Sequence, residues 1–434
     1  MKRFLTITAA VLLLAAISFW GYIRYRQHAS YSTLIPANAG VLIRVDVYRL
    51  YQSLSGSLFK RRRSERRFFK GLSIPANIFC YTLKGLQGNT LFATLPVDDT
   101  GALARSLPGM GFSRDPAAPG GITFARNGNQ TCILAYNGDR IAFAFPPGKE
   151  NVTETLGRLL RQEDMIPVAE SAFSKIKEQE GHITLLSEKG KGRLDFQQGA
   201  IVAALQWKAE SLQTQEIPQP EANNGNALTL YWLGLAPDWL EGKQFRIKDI
   251  SISGDSLLAA HPHGFIFEVG KTTVQKDSVI SYDYNDDFEK VATVSVKESR
   301  VPGLRLQLLA DAPLYTYLQR IGILSRDSNT VRHKLFPLYK VHTGTAPGTL
   351  WASTATEAPL PLSLAKGPFV FLIRADFDQL KQVPDLAWLN RYTAPFTSLS
   401  GVGRQLRDKT IDVSMKLNCR KKDESSLLQL PFLF

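Results

Sequence analysis

His261 and His263 stand two residues apart in "HPHG", on one side of an extended segment. Two imidazoles so placed are half of a metal site, but no third donor stands near them in sequence. The segment therefore reads as a strand end, and no metal is expected. "YDYNDDFEK" sets Asp283, Asn285, Asp287 and Glu289 at alternate positions. It fails as a calcium loop, because Phe288 occupies the glycine position of the sharp turn and Val294 the place of the closing bidentate carboxylate. A hairpin turn is the expectation there.

Serine, histidine and aspartate, the parts of a nucleophilic triad, are all present. Their order singles out no set of three, and His28, His182, His333 and His342 are scattered singly. No phosphate loop, nucleophile elbow, zincin helix or dinucleotide fingerprint occurs. No cofactor is expected, and no reaction is evident from linear motifs.

Two arginines remain. "VLIRVDVYRL" (41–50) and "VFLIRADFDQL" (370–380) share Leu-Ile-Arg-x-Asp followed by an apolar residue. Arg44 and Arg374 hold the same place in each phrase, and their candidate chemistry is anion binding. The plainer reading is a strand-to-helix junction with a solvated arginine on the outer face. Asp46 and Asp376 follow the strands and precede leucine stripes, as helix N-caps do, and Gln379 completes a capping-box pattern.

A third candidate surface is the run "KRRRSERRFFK" (60–70). Lys60, Arg61, Arg62, Arg63, Arg66, Arg67 and Lys70 beside Phe68 and Phe69 suit contact with an anionic surface, while the plainer reading is a solvated helix end and loop. The charge of the whole chain is +13, of which this run supplies a net six and Lys2, Arg3, Arg24 and Arg26 four, leaving +3. A body that near to neutral argues against a nucleic-acid binder.

These residues must be positioned by something. The chain opens with two cations and an uncharged run from Phe4 to Ile23, ended by Phe19, Trp20 and Tyr22 and then Arg24 and Arg26. A helix that long spans the hydrocarbon core, and the aromatics suit its interface. An uncleaved single-pass anchor within residues 1–27 is expected, with the body outside the cytoplasm; cations on both sides of the run leave a body on the cytoplasmic face, with residues 60–70 on anionic lipid, as the alternative. For a bacterium the first means the inner membrane and a periplasmic body.

The body reads as α+β, with antiparallel sheets and amphipathic helices. Each end carries a β-α-β-β-α module, so a duplicated module with a long insert is expected. "GITFARNGNQTCILAYNGDRIAFAFPP" gives three alternating runs joined at Asn127-Gly128 and Asn137-Gly138. "EIPQPEANNGN" (216–226) is the best linker, dividing a first domain (33–215) from a second (227–434). Cys80, Cys132 and Cys419 are far apart and read as buried thiols, with one disulfide left open.

"LIPANAGVLIRVDVYRL", with an anchor before it and alternating strands after it, resembles a family of membrane-anchored or lipoprotein-like cell-envelope proteins of Bacteroidota. The shared phrase is Ile35-Pro36-Ala37-Asn38-Ala39-Gly40-Val41-Leu42, where Leu42 departs and Val comes one place early. "YNDDFEKVATVSV" is similar in style to a later segment of such proteins. The resemblance covers about a quarter of the chain and implies an envelope location, with no catalytic residues to carry over. The first expectation is thus a non-enzymatic, membrane-anchored binding or scaffolding body, its partners the membrane and envelope proteins or lipids. The alternative is a membrane-bound hydrolase acting on an envelope substrate.

Overall fold

The structure is a computed structural model. It describes residues 20–58, 70–86, 90–115, 121–148, 150–209, 217–218, 225–234, 240–284, 288, 290–356, 366–367, 369–383, 385–406 and 409–430. The chain forms two compact units, Met1–Gln197 and Gln198–Phe434.

The first unit is an antiparallel sheet around the first Leu-Ile-Arg strand. Its elements are the helical residues 20–29 (α1), β1 (Ala39–Asp46), α2 (Val47–Leu58), β2 (Asn77–Leu83), β3 (Leu91–Pro96), α3 (Thr100–Ser106), β4 (Phe112–Arg114), β5 (Thr123–Asn127), β6 (Ile133–Tyr136), β7 (Arg140–Phe145), α4 (Thr153–Arg161), β8 (Ile183–Ser187) and β9 (Gly190–Gln197). Hydrogen-bonded neighbours run β9-β8-β1-β2-β3-β7-β6-β5-β4. Leu42, Phe79, Tyr81 and Phe92 pack with Leu156, Leu159 and Leu160 of α4, the apolar stripe that the sequence marks as amphipathic. Leu95, Leu134 and Ile141 pack with Leu103 and Leu107 at α3. The three alternating runs form the expected meander. Its second turn is held by the Asn137 side chain, whose Oδ1 accepts from the Asp139 and Arg140 amides at 3.0 and 2.9 Å.

The second unit is built around the second copy of the phrase. Its elements are β10 (Ala200–Lys208), β11 (Leu228–Leu233), β12 (Gly264–Tyr284), β13 (Lys290–Leu309), α5 (Pro313–Arg320), β14 (His342–Ala346), β15 (Thr349–Ser353), β16 (Phe369–Asp376), α6 (Phe377–Leu380), β17 (Phe396–Gln405) and β18 (Thr410–Cys419). The antiparallel order is β10-β18-β17-β16-β11-β12-β13-β15-β14. Tyr231, Leu233, Ile266, Val370, Ile411 and Val413 form its core.

The expected class, α+β with antiparallel sheets, is therefore observed. The expected anchor begins at Phe4, and residues 1–19 lie outside the described residues. Among the described residues no helix is long and apolar enough to cross a membrane. The boundary between units falls at Gln197, ahead of the proline-marked stretch. The physical reason is pairing: β10 lies before that stretch yet runs along β18, from Ala200 opposite Asn418 to Lys208 opposite Thr410. Residues 210–216 and 219–224 lie outside the described residues.

The two junctions are made alike. Asp46 Oδ1 accepts from the Arg49 amide at 3.0 Å, and Asp376 Oδ1 from the Asp378 and Gln379 amides at 2.9 and 3.0 Å. Arg44 stands opposite Thr184 on the neighbouring strand, and Arg374 opposite Thr229. The Asp46 amide donates to the His182 carbonyl, and the Asp376 amide to that of Ala227. Strand-helix-strand-strand follows in both units, then α3 in the first and a 3-10 turn, Ser426–Gln429, in the second. The flanking strand differs in origin, since β8 comes after β1 in the chain and β11 comes before β16.

Candidate functional site

Asp46 starts α2, and the helix carries Ser53 seven residues on. Antiparallel pairing of β8 with β1 brings His182, just before β8, beside that helix. Pairing of β8 with β9 brings Asp195 beside His182. Ser53 Oγ lies 2.5 Å from His182 Nε2, and His182 Nδ1 lies 3.0 Å from Asp195 Oδ1. The same carboxylate oxygen accepts the His182 backbone N–H at 3.2 Å, so ring and main chain are pinned by one acceptor. The Phe196 amide points at Nδ1 as a donor at 3.3 Å, in competition with Asp195 for that nitrogen, and the Phe196 and imidazole rings meet edge to face with centroids 5.7 Å apart. The nearer carboxylate assigns the proton to Nδ1, which leaves Nε2 as the acceptor facing Ser53. The Ser53 hydroxyl has a rival acceptor, the Arg49 carbonyl one turn back at 3.1 Å.

Ser53 and His182 open onto a cleft of about 590 Å³ whose wall includes Trp20, Ile23 and Arg24 of α1 and Tyr48, Arg49 and Gln52 of α2. The wall is apolar and aromatic on one part and cationic on another. The Arg24 guanidinium stacks over the Trp20 ring at 5.0 Å. Arg49 is held loosely, 3.5 Å from Asp46 Oδ2 and 3.9 Å from Glu180. Sequence reading missed this group. Its members are separated by 129 and 13 positions, and only the strand register joins them.

The sequence-derived candidates fare differently. Arg44 is not on a solvated face. Residues 42, 44 and 46 form the buried side of β1, and Arg44 is 4% exposed. Its Nη1 donates to Tyr31 Oη at 2.7 Å and to the Ile176 carbonyl at 3.1 Å, and its Nη2 donates to the Gln179 carbonyl at 2.7 Å. A buried guanidinium that bonds two carbonyls and a hydroxyl, with its Nε left without a partner, ties the segment 176–179 to the sheet. Arg374 is exposed and belongs to the other unit. Of the basic run, residues 60–69 lie outside the described residues, and Lys70 is exposed.

His261 Nδ1 meets Asp311 at 2.9 Å, and His263 Nδ1 faces the His261 carbonyl at 3.1 Å. Among the described residues no group of three or more His, Cys, Asp or Glu is placed to hold a metal. The three cysteines are free. Burial pushes the thiols of Cys80 and Cys132 up to about 11.

A second feature of note is the hairpin β12–β13, whose strands run 21 and 20 residues. Among the described residues only its base pairs with other strands: residues 264–269 of β12 with β11, and 305–309 of β13 with β15. Beyond the bulge at Gly270 the two strands pair only with each other among the described residues. Ile280 lies opposite Val294, Ser278 opposite Val296, and Tyr282 opposite Ala292, so these side chains share one face. Ile280, Tyr282, Val294 and Val296 are 56–63% exposed. The patch is flanked by the ion pair Lys276–Glu298 and by Lys290 over the Tyr282 ring.

No protein-family model matches the chain, and no curated protein matches it. Among solved structures, crystal form I of TP0453 aligns over 74% of this chain and 92% of that one, at 11% identity and a TM-score of 0.24. Crystal form IV aligns over 75% and 94%, at 11% identity and a TM-score of 0.26. At such scores the likeness carries no inference about fold or function.

Proposed function

We propose that the chain is a membrane-anchored cell-envelope protein whose body lies outside the cytoplasm and binds a protein partner through the hairpin β12–β13. The observation that carries this reading is the bare apolar face of that hairpin. A two-stranded ribbon standing alone is marginal in water, and a contiguous exposed apolar patch marks a contact surface. The outer edge of β12 over residues 276–284, which pairs with no strand but β13 among the described residues, decides the kind of partner. Unpaired backbone N–H and C=O groups do not enter hydrocarbon, and charges of both signs flank the patch. A protein that lends a strand to one edge and an apolar surface to the face satisfies both. Support for the anchor comes from the sequence alone, the uncharged run Phe4–Ile23 with its aromatic end.

The test is a photo-crosslinking amino acid at Val294 in the full chain in living cells. A protein adduct is expected that is absent with the probe at exposed Lys243 and lost in the I280S/V296S variant. Adducts with lipid only, or equal capture from both positions, would sink the reading. A reporter fused after Phe434, active only outside the cytoplasm, checks the orientation. A hydrolase acting on an envelope substrate is the second reading, and the Ser53–His182–Asp195 group in its cleft is the observation that favours it.

A further inference from the structure

We propose that Ser53, His182 and Asp195 form a nucleophilic site that cleaves a carboxylic ester bearing an anionic group. This deepens the second reading and is independent of the hairpin, so either experiment can fail alone.

Three observations converge. The first is the relay itself: hydroxyl, imidazole and carboxylate are joined at 2.5 and 3.0 Å, with the base oriented by the acid. The second is access. A hydrogen bond that merely ties a helix to a sheet belongs in a sealed interface, yet Ser53 and His182 face a cleft with room for a small ester.

The third is an internal comparison. In the second unit the corresponding junction is built without any of the three groups. Ala227 stands where His182 does, its carbonyl accepting the amide of the capping aspartate. One step along the ladder from Leu228–Val269, Gly270 stands where Asp195 does, and Val383 is the residue seven past the cap, as Ser53 is in the first. The fold makes this corner with apolar and small residues, so the corner itself does not call for the polar trio.

The cleft also fits a substrate class. Trp20, Ile23 and Tyr48 offer an apolar wall, and Arg24 and Arg49 offer positive charge. In the reaction, the Ser53 oxygen bonds to the ester carbonyl carbon as its proton passes to His182 Nε2. Asp195 stabilises the imidazolium through Nδ1–H. The negative charge that develops on the carbonyl oxygen is met by Arg49, which lies one turn before Ser53 and is only loosely paired. The C–O bond to the alcohol then breaks, and the alcohol leaves with the proton from Nε2. Water attacks the acyl-serine and gives a proton to Nε2. The carboxylic acid departs as the Ser53 oxygen recovers that proton.

The experiment treats the full chain in detergent with a fluorophosphonate probe, followed by peptide mapping. Labelling is expected at Ser53, at least tenfold weaker in H182Q and D195N and absent after denaturation. Hydrolysis of 4-nitrophenyl hemisuccinate is expected to exceed that of the neutral acetate, to vanish in S53A and to lose its preference for the anionic ester in R24Q/R49Q. Because H182Q is open to misfolding, S53C gives a second measure. The introduced thiol, identified by peptide mapping, should react with iodoacetamide near neutral pH at least tenfold faster with His182 present than in S53C/H182Q, at matched thermal midpoints. Labelling of Ser53 no stronger than that of other surface serines, or equal in wild type and H182Q, overturns the proposal. Equal thiol reactivity in the two backgrounds does the same.

Discussion

At the scale of single residues, the two arginines of the repeated phrase do opposite things. Arg44 supplies donors to two carbonyls and a tyrosine hydroxyl in a buried setting, while Arg374 is exposed. Removing Arg44 leaves those acceptors without partners. R44A should therefore lower unfolding stability by about 3 kcal/mol in urea titrations, and R374A by no more than about 0.5 kcal/mol. Equal losses would mean that the carbonyl contacts of Arg44 contribute nothing. The half-buried thiols of Cys80 and Cys132 make a second prediction. A thiol whose folded value is raised holds its proton in the fold and releases it on unfolding. Its contribution is complete below the ordinary value of 9.0 and is lost as pH rises to about 11. The thermal midpoint should fall between pH 9 and 11, and less steeply in C80A/C132A. Thiolate is scarce at pH 8, so both cysteines should resist a disulfide reagent until the chain unfolds.

At the scale of elements, much was legible and the reasons are local. Asp46 and Asp376 announce their helices because a cap needs only a carboxylate and the next three amides. The alternation after Asn127 and Asn137 announces a meander because its partners are neighbours in sequence. Arg44 was misjudged because alternation gives two faces of a strand without saying which is covered; Leu42 and Asp46 share its buried side. The Ser53–His182–Asp195 group was hidden because register across distant strands decides it. The hairpin around "YDYNDDFEK" was foreseen, but not its length, since its outer part has no core to impose a pattern. That part should be dispensable for folding. Buried Gln275 bonds to Lys340 and Thr354 and marks where the covered portion ends. Replacing residues 277–297 by Asn-Gly should keep the circular dichroism spectrum and move the thermal midpoint by less than about 3 °C. A collapse of the second unit would show instead that the ribbon is part of its core.

At the scale of the whole molecule, the boundary between units can be tested by where the chain tolerates a cut. Composition favours the proline-marked stretch at 216–226, because linkers are polar and rich in turn residues. Hydrogen bonding favours Gln197, because β10 covers β18 over nine registered pairs. The two cuts differ only in whether β10 travels with the second unit, and the consequence follows from what β18 would expose. Without β10 its outer edge is a row of unpaired amides and carbonyls, and Ile411 and Val413 lose cover from Trp207 and Ala209 of the same core. A bare, apolar strand edge is a template for aggregation. A fragment of residues 198–434 should therefore be soluble and unfold in one cooperative transition, while a fragment of 217–434 should precipitate or melt without cooperativity. Adding residues 198–209 as a separate peptide should partly restore the shorter fragment, since the lost ladder is a single strand. If both fragments behave alike, β10 is not what completes the second unit, and the linker read from composition is the true boundary.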